Sequence, residues 1–392
     1  MRVGRNLGVL LAAIFLIACA EELWWRFIPD YLRALGASVG VVAIYGTFKD
    51  LLDALYQFPG GLLTQRIGYR AALVIFNAMA ISGYVAFATA HSWVVLVAAL
   101  PLVMAWQSFS LPATFSLIGD TLPQQRRSIA FGYQSIVRRI PIVVAPIAGG
   151  AIITSLGTLA GTRAAIWIGT AVAVVALILQ AVRYRIPKGN SERLALATLV
   201  RDAPQLPRKL KALLLSDIVV RFGQGIGEIF IVLYAIRVVG VSAAAFGWLT
   251  GLAMATSIAV YIPVARMADR SRRDGWVLLT YGFFALFPLL LGLSQSTWLL
   301  TIAFVAMGLR EIGEPPRKAM IVDLARADRR SVDVGTYYLV RGVFVFPASL
   351  VGGALWKIMP AATFFGAAAV AATGAVIYSL AVYFPSRAWG KT

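Results

Sequence analysis

Apolar runs of about 18 to 25 residues recur along the chain, each long enough to carry a helix across a hydrocarbon core of about 30 Å. In hydrocarbon every backbone amide must find its partner inside the protein, so such runs fold as membrane-spanning helices. They are too long and alternate too little for the strands of a membrane barrel. In order they cover residues 6–30, 40–64, 70–90, 92–119, 128–153, 163–184, 212–236, 242–266, 275–294, 297–323, 331–356 and 360–384. The pattern predicts an all-α membrane protein with twelve transmembrane helices. Charge argues the same way: only 14% of residues are charged, against about 25% in soluble domains.

A net charge of +19 would suit a nucleic-acid binder, but its placement follows another rule. With the N-terminus inside, Lys and Arg crowd the loops on that side, and only Arg33, Arg163, Arg237 and Lys357 fall outside. This positive-inside asymmetry predicts a multi-pass protein of the cell inner (plasma) membrane with both termini cytoplasmic. No Lys/Arg-rich groove with interleaved aromatics appears, so no nucleic acid is expected as a partner. The single Cys19 excludes an intramolecular disulfide, and the single His91 makes a metal site unexpected, as is any cofactor. Arg2 and Arg5 ahead of Ile17-Ala18-Cys19-Ala20 imitate a cleavable leader. The segment is nevertheless read as an uncleaved first helix, because an internal repeat requires it.

That repeat divides the chain in two. An offset of 204 places Arg33, Gly36 and Ser38 on Arg237, Gly240 and Ser242, and Gln65-Arg66 on Asp269-Arg270. An offset of 203 places Pro112 on Pro315, Asp120 on Asp323, Gly132 on Gly335 and Val137-Arg138 on Val340-Arg341. The expected organisation is two pseudo-symmetric six-helix bundles, residues 1–184 and 212–392, joined by a polar cytoplasmic linker at 185–211. Ser191 and Glu192 ahead of an apolar stretch to Val200 would open a short interfacial helix within that linker.

Residues 61–70, Gly-Leu-Leu-Thr-Gln-Arg-Ile-Gly-Tyr-Arg, resemble the loop motif G-x-x-x-D-R-x-G-R-R of the major facilitator superfamily, with Gln65 in place of its Asp. The second copy keeps Asp269 and Arg270, and Ala145-Pro146-Ile147-Ala148-Gly149-Gly150 resembles the end of the superfamily's antiporter motif, with Ala145 for its first Gly. Together with the repeat, the resemblance covers essentially the whole chain. It implies a secondary transporter working by alternating access, a monomer in the lipid bilayer that couples the movement of a small molecule to H+, and favours export by antiport. A lipid, lysolipid or organic-anion carrier of the same fold is the alternative, since residues 313–323 also resemble the spinster-like branch; a non-transporting receptor is a more distant one. It further implies that Gly61, Arg66, Gly68, Arg70, Asp120, Asp269, Arg270 and Asp323 work as a gating motif. An enzyme is not expected, because no nucleophile motif, His cluster or P-loop is present.

Charges inside the apolar runs narrow the candidates further, since each costs about 2.5 to 3.5 kcal/mol at mid-membrane unless it faces protein or water. They lie at Glu21, Glu22, Arg26, Lys49, Asp50, Asp53, Arg138, Arg139, Asp217, Arg221, Glu228, Arg310, Glu311, Glu314, Arg317, Lys318 and Arg341. Residues 71–90, 164–182, 276–294 and 360–384 carry none, which matches the helices that are peripheral in the resembled family. Glu22/Arg26, Lys49/Asp53, Asp217/Arg221 and Arg310/Glu314 are spaced i,i+4 and read either as structural pairs or as transport residues. Glu21, Asp50, Glu228, Glu311, Arg138, Arg139 and Arg341 have no evident partner on their own helix. Glu21 or Glu22, Asp50 or Asp53, and Glu228 are candidate proton sites, a nearby arginine can lower such an acid's pKa, and the repeat-related Arg138 and Arg341 are candidates to hold an anion. Trp24, Trp25, Phe27 and Tyr31 read as interface anchors.

Overall fold

The computed structural model describes residues 2–67, 69–106, 124–183, 206–270, 273–326 and 330–385. Among them every regular element is helical: α1 (Arg2–Glu22), α2 (Ile28–Ala34), α3 (Val39–Ile67), α4 (Tyr69–Ala88), α5 (Trp93–Val103), α6 (Gln124–Leu156), α7 (Thr158–Arg183), α8 (Arg208–Glu228), α9 (Ile231–Leu233), α10 (Ala243–Arg270), α11 (Arg273–Leu293), α12 (Thr297–Leu309), α13 (Glu314–Leu324), α14 (Arg330–Val345), α15 (Ala348–Ile358) and α16 (Pro360–Tyr378). Among the described residues seven stretches are long and apolar enough to cross a membrane, one of them, Asp333–Ile358, joining α14 and α15; an eighth is added if α8 and the segment Ile231–Val239, bent by 41°, form one span.

Several apolar runs are therefore broken helices. Prolines open the second pieces: Pro29 at the start of α2, and Pro315 with Pro316 at the start of α13. A proline in the first turn lacks only an N–H that has no helical partner anyway. Two caps recur at positions that the offset of 204 pairs. Gly36 and Gly240 end helical segments at φ of +86° and +84°, a left-handed conformation that glycine adopts without strain. Ser92 and Ser296 both stand in extended backbone, and each hydroxyl accepts from the first turn of the helix it opens.

The described chain forms two compact units. One comprises Met1–Ser38, Leu52–Arg193 and Ser242–Gly251, and in it α1 packs on α7 and α6 while α4 packs on α7 and α5. Glycines set its closest approaches: Gly169 lies on the Ala20 carbonyl, and Gly247 on the carbonyl of Pro146. Small residues let helices meet this closely where lipid provides no hydrophobic drive. Trp24, Phe27 and Tyr31 are buried in this unit rather than placed as interface anchors. Trp24 packs edge-on against Tyr84 at 5.2 Å and Phe87 at 5.9 Å, so ring–ring contact inside the protein outweighs interfacial placement.

Gly149 offers a direct test of this packing. A Cβ there would lie 1.7 Å from the Leu23 carbonyl oxygen, a backbone atom that cannot swing away. Gly149→Ala is expected to lower stability by about 3 kcal/mol or more, at the upper end of overpacking costs. Gly282→Ala, with nothing within 4 Å, should leave the thermal midpoint in detergent almost unchanged. Equal midpoints for the two variants would contradict the packing.

The second unit comprises Val39–Leu51, Leu194–Val241 and Leu252–Thr392. Here α8 packs on α16, α15 and α14, and α11 packs on α16, α12 and α13. Its apolar core includes Leu210, Leu213, Val220, Val277, Tyr281, Phe284, Tyr337 and Tyr378. The core encloses a group of charges.

Candidate functional site

Asp217, Arg221, Gln224 and Glu228 follow one another on α8 at steps of four, three and four, a spacing that lines up one face of a helix. Asp217 is fully buried. Its carboxylate accepts from Arg317 Nη1 at 2.6 Å, Tyr337 Oη at 2.9 Å, Tyr281 Oη at 3.2 Å and Arg341 Nη1 at 3.3 Å. Arg221 lies at 3.7 Å. α8, α11, α13 and α14 thus converge on one acid.

A second carboxylate balances the same arginines. Glu314, in the first turn of α13, takes both oxygens to Arg317 Nη2 at 3.0 and 2.8 Å and also accepts from Arg221. Arg317 bridges Asp217 and Glu314 with its side chain 2% exposed. Charges so far from water are tolerable only when paired and hydrogen-bonded in this way. The face of the Phe284 ring lies 4.6 Å from the Arg221 guanidinium and adds cation–π attraction.

From this hub a polar ladder runs outward. Arg221 donates to Gln224 at 2.9 Å, Gln224 to Glu228 at 3.2 Å, and Arg310 to Glu228 at 3.4 Å. Along α8 the side chains grow more exposed, from 0% at Asp217 through 17% at Arg221 to 40% at Glu228, while Arg310 beyond it is 8% exposed. Arg310 stands just after α12, where the chain breaks before α13, and its guanidinium lies 4.8 Å from the Phe287 ring. The arrangement can pass a change in charge from an exposed carboxylate to a buried one through side chains that each have at least two partners.

The structure thus supplies partners that local spacing did not show. Glu228 meets Arg310 and Gln224, and Arg341 meets Asp217. The spacing of Arg310 and Glu314 predicts a pair, but the chain leaves the helical path between them, and each turns to another helix. Glu22 and Arg26 do pair, at 2.8 Å. Glu21 accepts from Tyr84 Oη at 2.7 Å, so the two adjacent acids point to different partners. Lys49 Nζ lies 2.6 Å from Asp50; Asp53 and Arg139 are half-buried on α3 and α6, and Glu311 is half-buried in the break between α12 and α13.

Of the gating positions, Asp323 pairs with Arg273 at the start of α11, and Arg70 donates to the Ala181 carbonyl. Gly68 and Asp120 lie outside the described residues, as do the side chains of Gly61, Arg66, Arg138, Asp269 and Arg270. Sequence reasoning passed over Tyr281 and Tyr337. Tyr337 is four residues before Arg341 on α14, which is a readable signal, whereas Tyr281 lies on a run without charges. That run, α11, is therefore not merely peripheral: it contributes Tyr281 and Phe284 to the site. Asp333 was also missed; it is buried and holds the Arg326 backbone amide at 2.9 Å and its guanidinium at 2.6 Å.

The model of the Major Facilitator Superfamily matches residues 10–236 and 213–390, which together take in nearly the whole chain. The chain belongs to the Major Facilitator Superfamily. It is accordingly a multi-pass membrane protein of a transporter superfamily and not of an enzyme family. An uncharacterized MFS-type transporter of Methanocaldococcus jannaschii is 33% identical over 107 residues, which span 26% of this chain and 26% of that relative. Among solved structures, a POT family transporter in complex with 5-aminolevulinic acid is similar at a TM-score of 0.79 and 13% identity, over 98% of this chain and 96% of that one. The nucleoside transporter NupG gives 0.77 at 12% identity, over 96% and 100% of the two chains. A bacterial homolog of the human lysosomal transporter Spinster gives 0.70 at 16% identity, over 98% and 96%. At such identities the likeness establishes the superfamily's fold and nothing finer.

Proposed function

We propose that the protein is a proton-coupled secondary transporter that exports a small molecule by antiport, working by alternating access. Twelve spans form two pseudo-symmetric six-helix bundles, residues 1–184 and 212–392, joined by a cytoplasmic linker at 185–211. The paired caps at Gly36/Gly240 and Ser92/Ser296 support the repeat. The protein is a monomer of the inner membrane, and its Lys and Arg distribution supports an orientation with both termini cytoplasmic. The gating motif, including Asp323 with Arg273, governs the switch between states.

The observation that carries the coupling is the graded ladder from Glu228 to Asp217. A proton landing on Glu228 removes the charge that holds Arg310, and the freed guanidinium and Gln224 must seek new partners. Rearrangement of a paired charge inside a membrane is the physical basis of proton coupling in carriers. Glu228 is favoured over Glu21 because its protonation weakens an ionic contact, the one to Arg310, whereas the Tyr84 hydroxyl can donate to either form of Glu21.

The carrier reading is tested by counterflow in proteoliposomes. Internal unlabelled solute is expected to stimulate uptake of the same labelled solute several-fold, because loaded return of an alternating-access site is faster than empty return. Uptake that ignores internal solute would contradict the mechanism.

A further inference from the structure

Among the described residues, the charge cluster holds one more cation than anion. Asp217 and Glu314 stand against Arg221, Arg317 and Arg341, and the neighbouring Glu311 and Lys318 add one charge of each sign. The outer pair, Glu228 and Arg310, cancels itself. Asp217 is already served by Arg317 and two tyrosine hydroxyls at shorter distances than the 3.3 Å to Arg341. Arg341 is therefore the least committed of the three inner arginines.

Its surroundings agree. Among the described residues the guanidinium makes that single hydrogen bond and lies 4.7 Å from the Tyr338 ring centre. A guanidinium has five N–H donors in a planar fork suited to carboxylate or phosphate. The Arg341 side chain is 23% exposed where that of Arg317 is 2%, so the former has a face not covered by the protein and the latter has none. Surplus cationic charge within a membrane protein is costly unless an anion visits it.

We propose that Arg341, stacked on Tyr338, anchors the anionic group of the transported solute, which makes the substrate class small organic anions bearing a carboxylate or phosphate. The proposal rests on the carrier reading above and adds the chemistry of the cargo. The anion can come from a water-borne metabolite or from a lipid headgroup, and both present the same group to the fork.

The test is ligand-induced thermal stabilisation of the purified full-length protein in a non-ionic detergent, since a bound ligand raises the midpoint by mass action. Benzoate and phenyl phosphate represent water-borne anions, lysophosphatidate a lipid-borne one, and benzylamine and benzyl alcohol are controls. At least one anion should raise the wild-type midpoint saturably while the controls do not, and the arm that protects identifies the source. Arg341→Gln should weaken that anion at least tenfold, Arg341→Lys should fall between, and Lys318→Gln, an equal loss of charge at an exposed site, should change it less than twofold. If Arg341→Gln fails to fold, Arg341→Lys and Tyr338→Leu carry the comparison, and each should weaken the anion at least threefold. Absence of protection by every anion, undiminished binding in the Arg341 and Tyr338 variants, or equal loss in Lys318→Gln would overturn the assignment. Anion binding that depends on Arg341 in a protein with no counterflow would keep the anchor and reject the carrier reading instead.

Discussion

Asp217→Ala should destabilise the protein by about 3–5 kcal/mol, the cost of leaving buried charges without their partner. Arg317 would lose its 2.6 Å contact in a place where its side chain is 2% exposed, and Tyr337 and Tyr281 would lose their acceptor. Glu314 would remain as the sole acid between Arg221 and Arg317. Asp217→Asn should cost less, because the amide oxygen still accepts from the tyrosines. Equilibrium unfolding in mixed micelles measures both variants. A change below about 1 kcal/mol for the alanine variant, typical of an exposed pair, would show that the cluster is solvated and not part of the core.

Glu228→Gln should separate coupling from transport. Glutamine imitates the protonated acid permanently, so Arg310 loses its ionic partner while Gln224 keeps a neighbour to bond. Accumulation driven by a pH gradient should fall at least tenfold, equivalent to about 1.4 kcal/mol of lost driving force. Solute exchange at equal pH should stay within about threefold, or roughly 0.7 kcal/mol, because the variant can still load and return. Glu21→Gln should retain pH-driven accumulation, since its side-chain oxygen can still accept from Tyr84. The reverse pattern would move the proton site to α1.

Much of this architecture is written locally in the chain. Apolar runs mark the helices because hydrocarbon leaves the backbone no alternative. Ser92 and Ser296, or Gly36 and Gly240, can be matched by offset alone because caps depend on neighbouring residues. The stripe from Asp217 to Glu228 is likewise periodic. Pairing between helices is a different matter. Arg310 and Glu314 have the right spacing, yet the break before Pro315 and Pro316 removes the helical register on which that spacing relies. Arg317 finds Asp217 one hundred residues away, and Tyr281 reaches the same acid from a run with no charge to draw notice. Contacts of that kind follow from helix packing, which a single sequence does not display.

The most direct measurement is of protons themselves. Proteoliposomes enclosing a pH-sensitive dye, with equal pH on both sides, are given an outward gradient of a transported solute. For the wild-type protein we expect protons to enter as the solute leaves, and Glu228→Gln should exchange solute with no change in internal pH. Solute efflux from wild-type vesicles at constant internal pH, with no proton entry, would contradict proton antiport and the role given to the ladder.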